Sequence, residues 1–540
     1  MRTKLVIFTL IYIIQQSYAS TFYVDQRHPY AGDSNPGTRQ LPWLSLEHAA
    51  KTAAAGDTVL VTTGVFQEQV RIKNSGTAEH PIVFQTIPSA EVIIDGSQLN
   101  IPEWQGLVDL SEKNHIIFSG FHVQNSATAG IFADEASHLV IRNNYISDTA
   151  SSGIGIWNSE YISVEGNEVR RACFYGRQEC ITISNSAYFE IYSNHIYESG
   201  PGNRGGEGID IKDGCRHGRI LQNHIHDLQQ IGIYVDAWKR HTYHIEISRN
   251  RIHDCEGFAL ASEAGGLLED VRFFNNIVYH NQHCGLVIGS WGDVSGMSRP
   301  IKNIRIINNT FVGNGWNEWG GGINVENPEA KKIIIRNNIF SNNLAFQIAN
   351  EANVPETELI VENNLIDGFR DYAAEITGDK PVFGNPRFVN RQQHSFILLP
   401  DSPAIDRGSP EDAPPDDYCG TERPQGSAVD IGAFEYTDDV GIHNFDSDSD
   451  KPSGFQLYPN YPNPFNSTTT FSFYVQAPLH IKLIIYNIKG QAIDELFRGD
   501  ISRGFHDFTW QAGYNIASGV YIYRLESSNE FISAKCIYLK

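Results

Sequence analysis

From residue 138 onward one short pattern keeps returning: an alternating apolar strand, a polar residue, Asn, then another apolar residue. It reads LVIRNNYI, ISVEGNEV, EIYSNHI, RILQNHI, IEISRNRI, VRFFNNIV, IRIINNTF, IIIRNNIF and LIVENNLI. The recurring Asn falls at 144, 167, 194, 223, 250, 276, 309, 338 and 364, in steps of 23, 27, 29, 27, 26, 33, 29 and 26 residues. Matches near Gly96 and Gly120 extend the series toward the N-terminus. A second signature lies between the Asn positions: a small residue opening another alternating strand, as in Gly130-Ile131, Gly153-Ile154, Gly208-Ile209, Gly232-Ile233, Gly285-Leu286 and Gly322-Ile323. Each period therefore holds at least two short strands and has no room for a helix. Stacked coils of this length predict a parallel β-helix. An Asn at the same turn of every coil is expected to stack on its neighbours as a structural ladder, each side-chain amide bonding the next. Uneven steps imply loops of varied length on one side.

Composition agrees with a turn-rich β protein: 47 Gly against 2 Met, 41% hydrophobic and 19% charged residues. That balance excludes disorder throughout. With 63 acidic and 41 basic residues the net charge is −22, which argues against binding nucleic acid through its phosphates. Arg2 and Lys4 precede an apolar run, Leu5 to Ile14, and a small-residue site at Ser17-Tyr18-Ala19. Residues 1–19 are read as a secretory signal, the run being too short to span a bilayer. The seven cysteines form no CxxC pair, so a zinc site of that kind and a dense disulfide framework are not expected. Buried free thiols are the expectation, with room for one disulfide.

The sequence divides into 20–97, an N-terminal cap and first coils; 98–437, the β-helix; 438–453, a flexible acidic linker reading DDVGIHNFDSDSDKPS; and 454–540. Ser45–Ala55 is expected to form a short amphipathic helix covering the open apolar end of the solenoid. With the Asn column, the opening segments TFYVDQRHPYAGDSNPGT and AGDTVLVTTGVFQEQV and the closing segments SFILLPDSPAIDRG and AVDIGAFEY resemble right-handed parallel β-helix proteins of the pectate-lyase superfamily. This resemblance spans roughly residues 21–437. The last segment holds about seven alternating strands, hence a small β-sandwich. Its YPNPFN (461–466), YNIKG (486–490) and ASGVY (517–521) closely resemble the C-terminal sorting domain of the type IX secretion system. That resemblance implies contact with outer-membrane secretion machinery and a secreted or surface-attached, monomeric product.

Coils about 4.8 Å apart align outward side chains in columns, along which a polymer can lie. Aligned on the small opening residue, one column runs Phe132, Gly155, Thr182, Asp210, Tyr234, Leu260, Val287, Asn324. The next runs Asp134, Trp157, Ser184, Lys212, Asp236, Ser262, Gly289, Glu326. Glu179 and Glu207 sit side by side one residue before the opening position. Polar weight gathers in the middle three coils. Asp210, Asp236, Lys212, Lys239 and Arg240 are the catalytic candidates. Trp157, Tyr234, Trp238, His241, Arg204 and Glu263 are the substrate-binding candidates, the aromatic ones suited to stacking on sugar rings. Most charged residues on an outer strand face are merely solvated; the convergence of several is the stronger signal.

Two chemistries suit the patch. In β-elimination on a uronic-acid polymer, Glu179, Glu207, Asp210 and Asp236 would hold Ca²⁺. Lys212, Lys239 or Arg240 would then be the base, with its pKa lowered by the ion. Related lyases of this fold use such a base, many with calcium. In hydrolysis, Asp210 and Asp236, with α-carbons roughly 8 Å apart, would form an acid–base pair and Lys212 an electrostatic neighbour. The expected role is polysaccharide lyase on an acidic extracellular polysaccharide, with glycoside hydrolase or a non-catalytic glycan-binding solenoid as the alternatives. The polygalacturonase pattern of NTD, DD, GHG and RIK in succession is absent. His224, His226, His253 and His280, just after Asn positions, are read as turn-facing surface residues rather than a metal column.

Overall fold

The computed structural model describes residues 20–437, except 176, 201–204, 290–295 and 318. Of the tail it describes 455–540, except 458–459, 461–462, 476–477, 488, 502–503, 514–515 and 528–530. The expected signal (1–19) and linker (438–453) lie outside the described residues.

Each repeat contributes three strands, as in Ser137–Arg142, Tyr145–Ser147 and Ile154–Trp157. Corresponding strands pair in parallel to give three sheets of 13, 13 and 11 strands, here sheets 1, 2 and 3 in the order the chain visits them. The strand of sheet 2 escapes a sequence reading because it is only three residues long in most coils, too short to show alternation. Inward residues stack in register. Ile131, Ile154, Ile181, Ile209 and Ile233 form one column of sheet 3, and Ala133, Ile156, Ile183, Ile211 and Val235 the next. All ten are fully buried, each large aliphatic contributing about 1.5–3 kcal/mol over an exposed state.

The Asn column is the ladder its spacing predicts. It occupies the bend between sheets 1 and 2, fully enclosed. Asn194 donates from Nδ2 to Asn223 Oδ1 (3.0 Å) and to the Val164 carbonyl (2.9 Å), while its backbone N–H also reaches Asn223 Oδ1 (3.0 Å). The same pattern runs from Asn144 to Asn364. The residue before each rung is left-handed, as at Asn143 (φ 55°), Gln222 (φ 56°) and Asn337 (φ 57°). Asn tolerates that conformation well, which accounts for the repeated Asn-Asn. A shorter second ladder, which the sequence reading misses, joins Asn281, Asn314, Asn343 and Gln347 after sheet 2.

Leu46–Thr52 is the expected short helix. Ser45 caps it by accepting from the His48 N–H, and Leu46, Ala49 and Ala50 are buried. The parallel coils end at Val382–Phe383, short of the expected boundary at 437. Residues 384–437 instead run back over the outer face of sheet 2. There Phe396, Ala433 and Phe434 pack on Ile277, Tyr279 and Val312. Asn308 donates to the Asp430 and Gly432 carbonyls (2.8 and 3.1 Å), and Arg423 and Glu435 form a fully buried pair at 2.7 Å. The tail holds an antiparallel three-stranded and an antiparallel four-stranded sheet. They enclose Phe471, Phe473, Ile481, Leu483, Trp510 and Tyr523, matching the expected small sandwich. All seven cysteines are unpaired.

Candidate functional site

The outer face of sheet 3 carries the predicted columns with one change. Asp210 lies beside Thr182 on one side and Tyr234 on the other, and Lys212 beside Ser184. In the following coil the register places Ala259 beside Tyr234 and Ala261 beside Asp236. Leu260 and Ser262, expected outward, sit one residue off, and Leu260 is in the core. The columns thus end in small side chains just past Tyr234 and Asp236.

Two further sequence candidates, Glu179 and Asp210, meet at Lys212. Its Nζ lies 2.6 Å from Glu179 Oε1, 3.6 Å from Asp210 Oδ2 and 3.4 Å from Gln178 Oε1. Glu179 is fixed from behind by the Thr182 hydroxyl, which donates to Oε2 at 2.8 Å. Asp236 accepts the Asp213 N–H at 3.0 Å. The Tyr234 hydroxyl donates to Glu263. Among the described residues, Asp210 Oδ1 and Glu207 Oε2 are buried without a hydrogen-bond partner. Such orphans are rare in folded proteins and call for a reason.

The electrostatics follow from crowding carboxyls in a dry place. Burial, then Glu179, pushes Glu207 up to about 7. Burial pushes Asp236 up to about 7 despite the Asp213 N–H, and raises Asp210 well above the carboxylate range despite Lys212. Burial works against the Lys212 ammonium, but Glu179 and Asp210 more than offset it, so its pKa rises. As placed, Lys212 is a counter-ion to Glu179 and Asp210; the lowered lysine of the elimination reading is conditional on a bound cation.

The remaining candidates stand apart from this centre. Asp213 Oδ1 accepts the backbone N–H groups of Lys239 (2.7 Å) and Arg240 (2.6 Å), which fixes their turn. Lys239 Nζ lies 5.8 Å from the ring centre of Trp238, which is 52% exposed. The Arg240 stem covers Gly214. Neither cation makes an ion pair among the described residues. His241 turns to sheet 1, its Nε2 2.9 Å from Glu269, which also holds Lys302 at 3.0 Å. Arg204 lies outside the described residues. Trp157, in the Lys212 column two rungs away (roughly 10 Å), stacks on Phe132 (5.1 Å) and meets Trp104 edge-on (5.8 Å). Trp104, 60% exposed, extends this platform; it lies in a loop outside any repeat and carries no sequence signal. A half-open hollow lined by Ser341, Arg387, Phe388 and Arg391 lies elsewhere, beside the returning segment.

Three family models match the chain, over four stretches. Residues 23–175 match a Pel9A-like, right-handed β-helix region; 106–246 and 178–298 match a right-handed β-helix region. Residues 460–539 match a secretion system C-terminal sorting domain. The chain is a right-handed parallel β-helix protein with a C-terminal sorting domain. An uncharacterised protein of Bacillus subtilis (strain 168), YwoF, is 26% identical to this β-helix protein over 438 residues, 70% of this chain and 91% of the relative. Solved structures with a similar fold include pectate lyase Pel9A (16% identity, 78% of this chain and 97% of that one, TM-score 0.44). Another is the XylC complex with xylose (13%, 77% and 98%, TM-score 0.49). A third is the A-module of mannuronan C-5 epimerase AlgE6 from Azotobacter vinelandii (14%, 63% and 92%, TM-score 0.41). These likenesses concern the fold alone. The sorting domain indicates secretion to the medium or the cell surface. The Pel9A-like match stops at 175, before the first residue of the cluster.

Proposed function

We propose that this β-helix protein hydrolyses an extracellular glycan on the outer face of sheet 3, with Asp210 and Asp236 as the acid–base pair. The supporting observation is the pair of buried carboxyl oxygens, Asp210 Oδ1 and Glu207 Oε2, that have no hydrogen-bond partner among the described residues. Buried carboxyls that repel one another cannot all ionise, so at least one keeps its proton near neutral pH. One of the coupled pair, Asp210 or Asp236, keeps its proton and protonates the departing glycosidic oxygen. The other, ionised and within the field of the Lys212 ammonium, takes a proton from the attacking water. Glu179 and Lys212 hold that charge in place. Trp157, Phe132 and Trp104 offer the sugar-stacking platform alongside, and the exposed Lys239 and Arg240 flank the far side. Secretion by the type IX route would bring the site to polymeric substrate outside the cell.

β-Elimination on a uronic-acid glycan is a second reading, favoured by the Pel9A-like match over 23–175. It needs a neutral base, and Lys212 is held between two carboxylates. The calcium expectation meets a related difficulty. Glu179, Glu207, Asp210 and Asp236 are donors of the right kind, and two of their oxygens lack partners. The Lys212 ammonium nevertheless takes the place between Glu179 and Asp210. Among the described residues the only ligand atoms grouped within 4.8 Å of one another are three imidazoles elsewhere. No step here is therefore routed through an ion.

The test is a panel of neutral and acidic glycans incubated with the full chain, with and without chelator. Hydrolysis predicts new reducing ends, no ultraviolet absorbance from an unsaturated uronide, and indifference to chelation. Unsaturated product that disappears with chelator and returns with calcium would replace this reading by elimination. Binding with neither product would reduce the face to an adhesive surface.

A further inference from the structure

Sheet 2 holds a second polar cluster, independent of the first. Strands His195–Tyr197, His224–His226 and Arg251–His253 are neighbours, with His195 beside His224 and His226 beside His253. The sequence reading puts these imidazoles on turns, facing water. They lie instead on strands, half-buried or buried, walled by Tyr197, which stacks on His226 (5.4 Å, 2° between planes), and by Tyr279 on His253 (4.6 Å). We propose that His195, His224, His226 and His253 form a binding site for a divalent transition-metal ion of the zinc type, clasping three successive coils.

The geometry goes beyond ring stacking. His195 Nε2 meets His226 Nε2 at 2.8 Å, and His224 Nε2 meets His253 Nε2 at 2.9 Å, both across the diagonal between coils. Ligand atoms of His195, His224 and His226 all lie within 4.8 Å of one another. Stacking alone would set rings face to face and would not aim the nitrogens of His195, His224 and His226 at a shared space. A tetrahedral zinc ion holds its nitrogens about 3.3 Å apart, given bonds near 2.0–2.1 Å, so each touching pair would part by about 0.5 Å, with His253 drawn in as the fourth ligand.

Carboxylates already orient two of the rings. His226 Nδ1 lies 2.7 Å from Asp227 Oδ2, and His253 Nδ1 lies 2.7 Å from Asp254 Oδ2. A ring whose Nδ1–H is given to a carboxylate presents a bare Nε2 lone pair. This carboxylate–imidazole arrangement is how metal-ligating histidines are commonly fixed. His195 and His224 then donate from Nε2 in the empty cluster and need only exchange tautomer to become ligands. Burial, helped by neighbouring imidazoles, holds His195 down to about 3, and burial holds His253 down to about 4. His195 and His253 are therefore neutral, the form that binds metal, near neutral pH. Four imidazoles without thiolate suit zinc, copper or nickel rather than calcium.

The experiment is a calorimetric titration of the metal-stripped full chain with Zn²⁺. One equivalent should bind, Co²⁺ should give the visible absorption of a four-coordinate ion, and Zn²⁺ should raise the melting temperature. His226→Gln should weaken binding at least about 100-fold and abolish the melting shift. Asp227→Asn, at an exposed carboxylate that leaves the fold alone, should weaken it roughly 10- to 100-fold. Absence of stoichiometric Zn²⁺ binding by the wild-type chain would overturn the proposal. So would an unchanged affinity in Asp227→Asn together with a folded His195→Gln/His226→Gln variant.

Discussion

The Asn column and the sheet 3 cluster are both rows of polar side chains buried in the same solenoid, one rung per coil, yet their accounts differ. Every rung from Asn144 to Asn338 donates to the next rung and to a backbone carbonyl, and accepts in return. At the cluster, Lys212 is spread over Glu179, Asp210 and Gln178, while Asp210 Oδ1 and Glu207 Oε2 have no hydrogen-bond partner among the described residues. A polar row that satisfies itself is built for stability. A row left in deficit is held in place by the rest of the fold and has capacity to spare for a substrate.

That contrast breaks if mutations in the two rows behave alike. Asp236→Asn should lower kcat/KM by roughly 10²–10⁴, while leaving the melting temperature unchanged or raised because a buried repulsion is relieved; a stability loss with full activity would reverse the assignment. Lys212→Met should lose activity and also destabilise by about 3 kcal/mol, as Glu179 is left buried without its counter-ion; denaturant unfolding measures this. Asn223→Ala should cost about 2–3 kcal/mol by stripping the Asn194 N–H and Nδ2 of their acceptor, with kcat/KM untouched. The cluster should also make stability pH-dependent. A carboxyl whose folded pKa is raised binds more protons when folded. The stability it adds is full below its unfolded value and is lost as pH rises through about 7, the folded value of Glu207 and Asp236. Melting should fall between about pH 4 and pH 7, and less steeply in Asp236→Asn. The smallest effect is expected from Trp157→Ala: about 1 kcal/mol of lost stacking, read as a several-fold rise in KM at constant kcat.

The Asn column was fully legible because a buried amide in a repeating turn has one economical solution, to bond its copy in the next coil. The second ladder was not, since its three Asn rungs share their spacing with the first and its last rung is Gln347. In the cluster, the meeting of Glu179, Asp210, Lys212 and Asp236 followed from register alone. What register cannot supply is the state of each group. Lys212 is raised, not lowered, because two carboxylates outweigh its burial. Lys239, Arg240 and His241 leave the centre because Asp213 captures two backbone N–H groups and Glu269 the imidazole. At Leu260 the small-residue rule itself holds: two residues after Gly257 stands Ala259, which the register places beside Tyr234. The histidines were misplaced because a three-residue strand looks like a turn.

In the coils, hydrogen-bonded neighbours lie about one repeat apart along the chain, so the solenoid by itself is a zip that could open from its last tooth. The segment 384–437 alters that. It joins Asn275 to Asp416, Asn308 to Asp430 and Gly432, and Arg336 to Asp412, across intervals several coils long. It works as a slider lock: the final coils cannot peel away singly, because loosening one means lifting a clasp shared by three. A chain threaded outward from its N-terminus would stack its teeth in order and be fastened only when this stretch arrives.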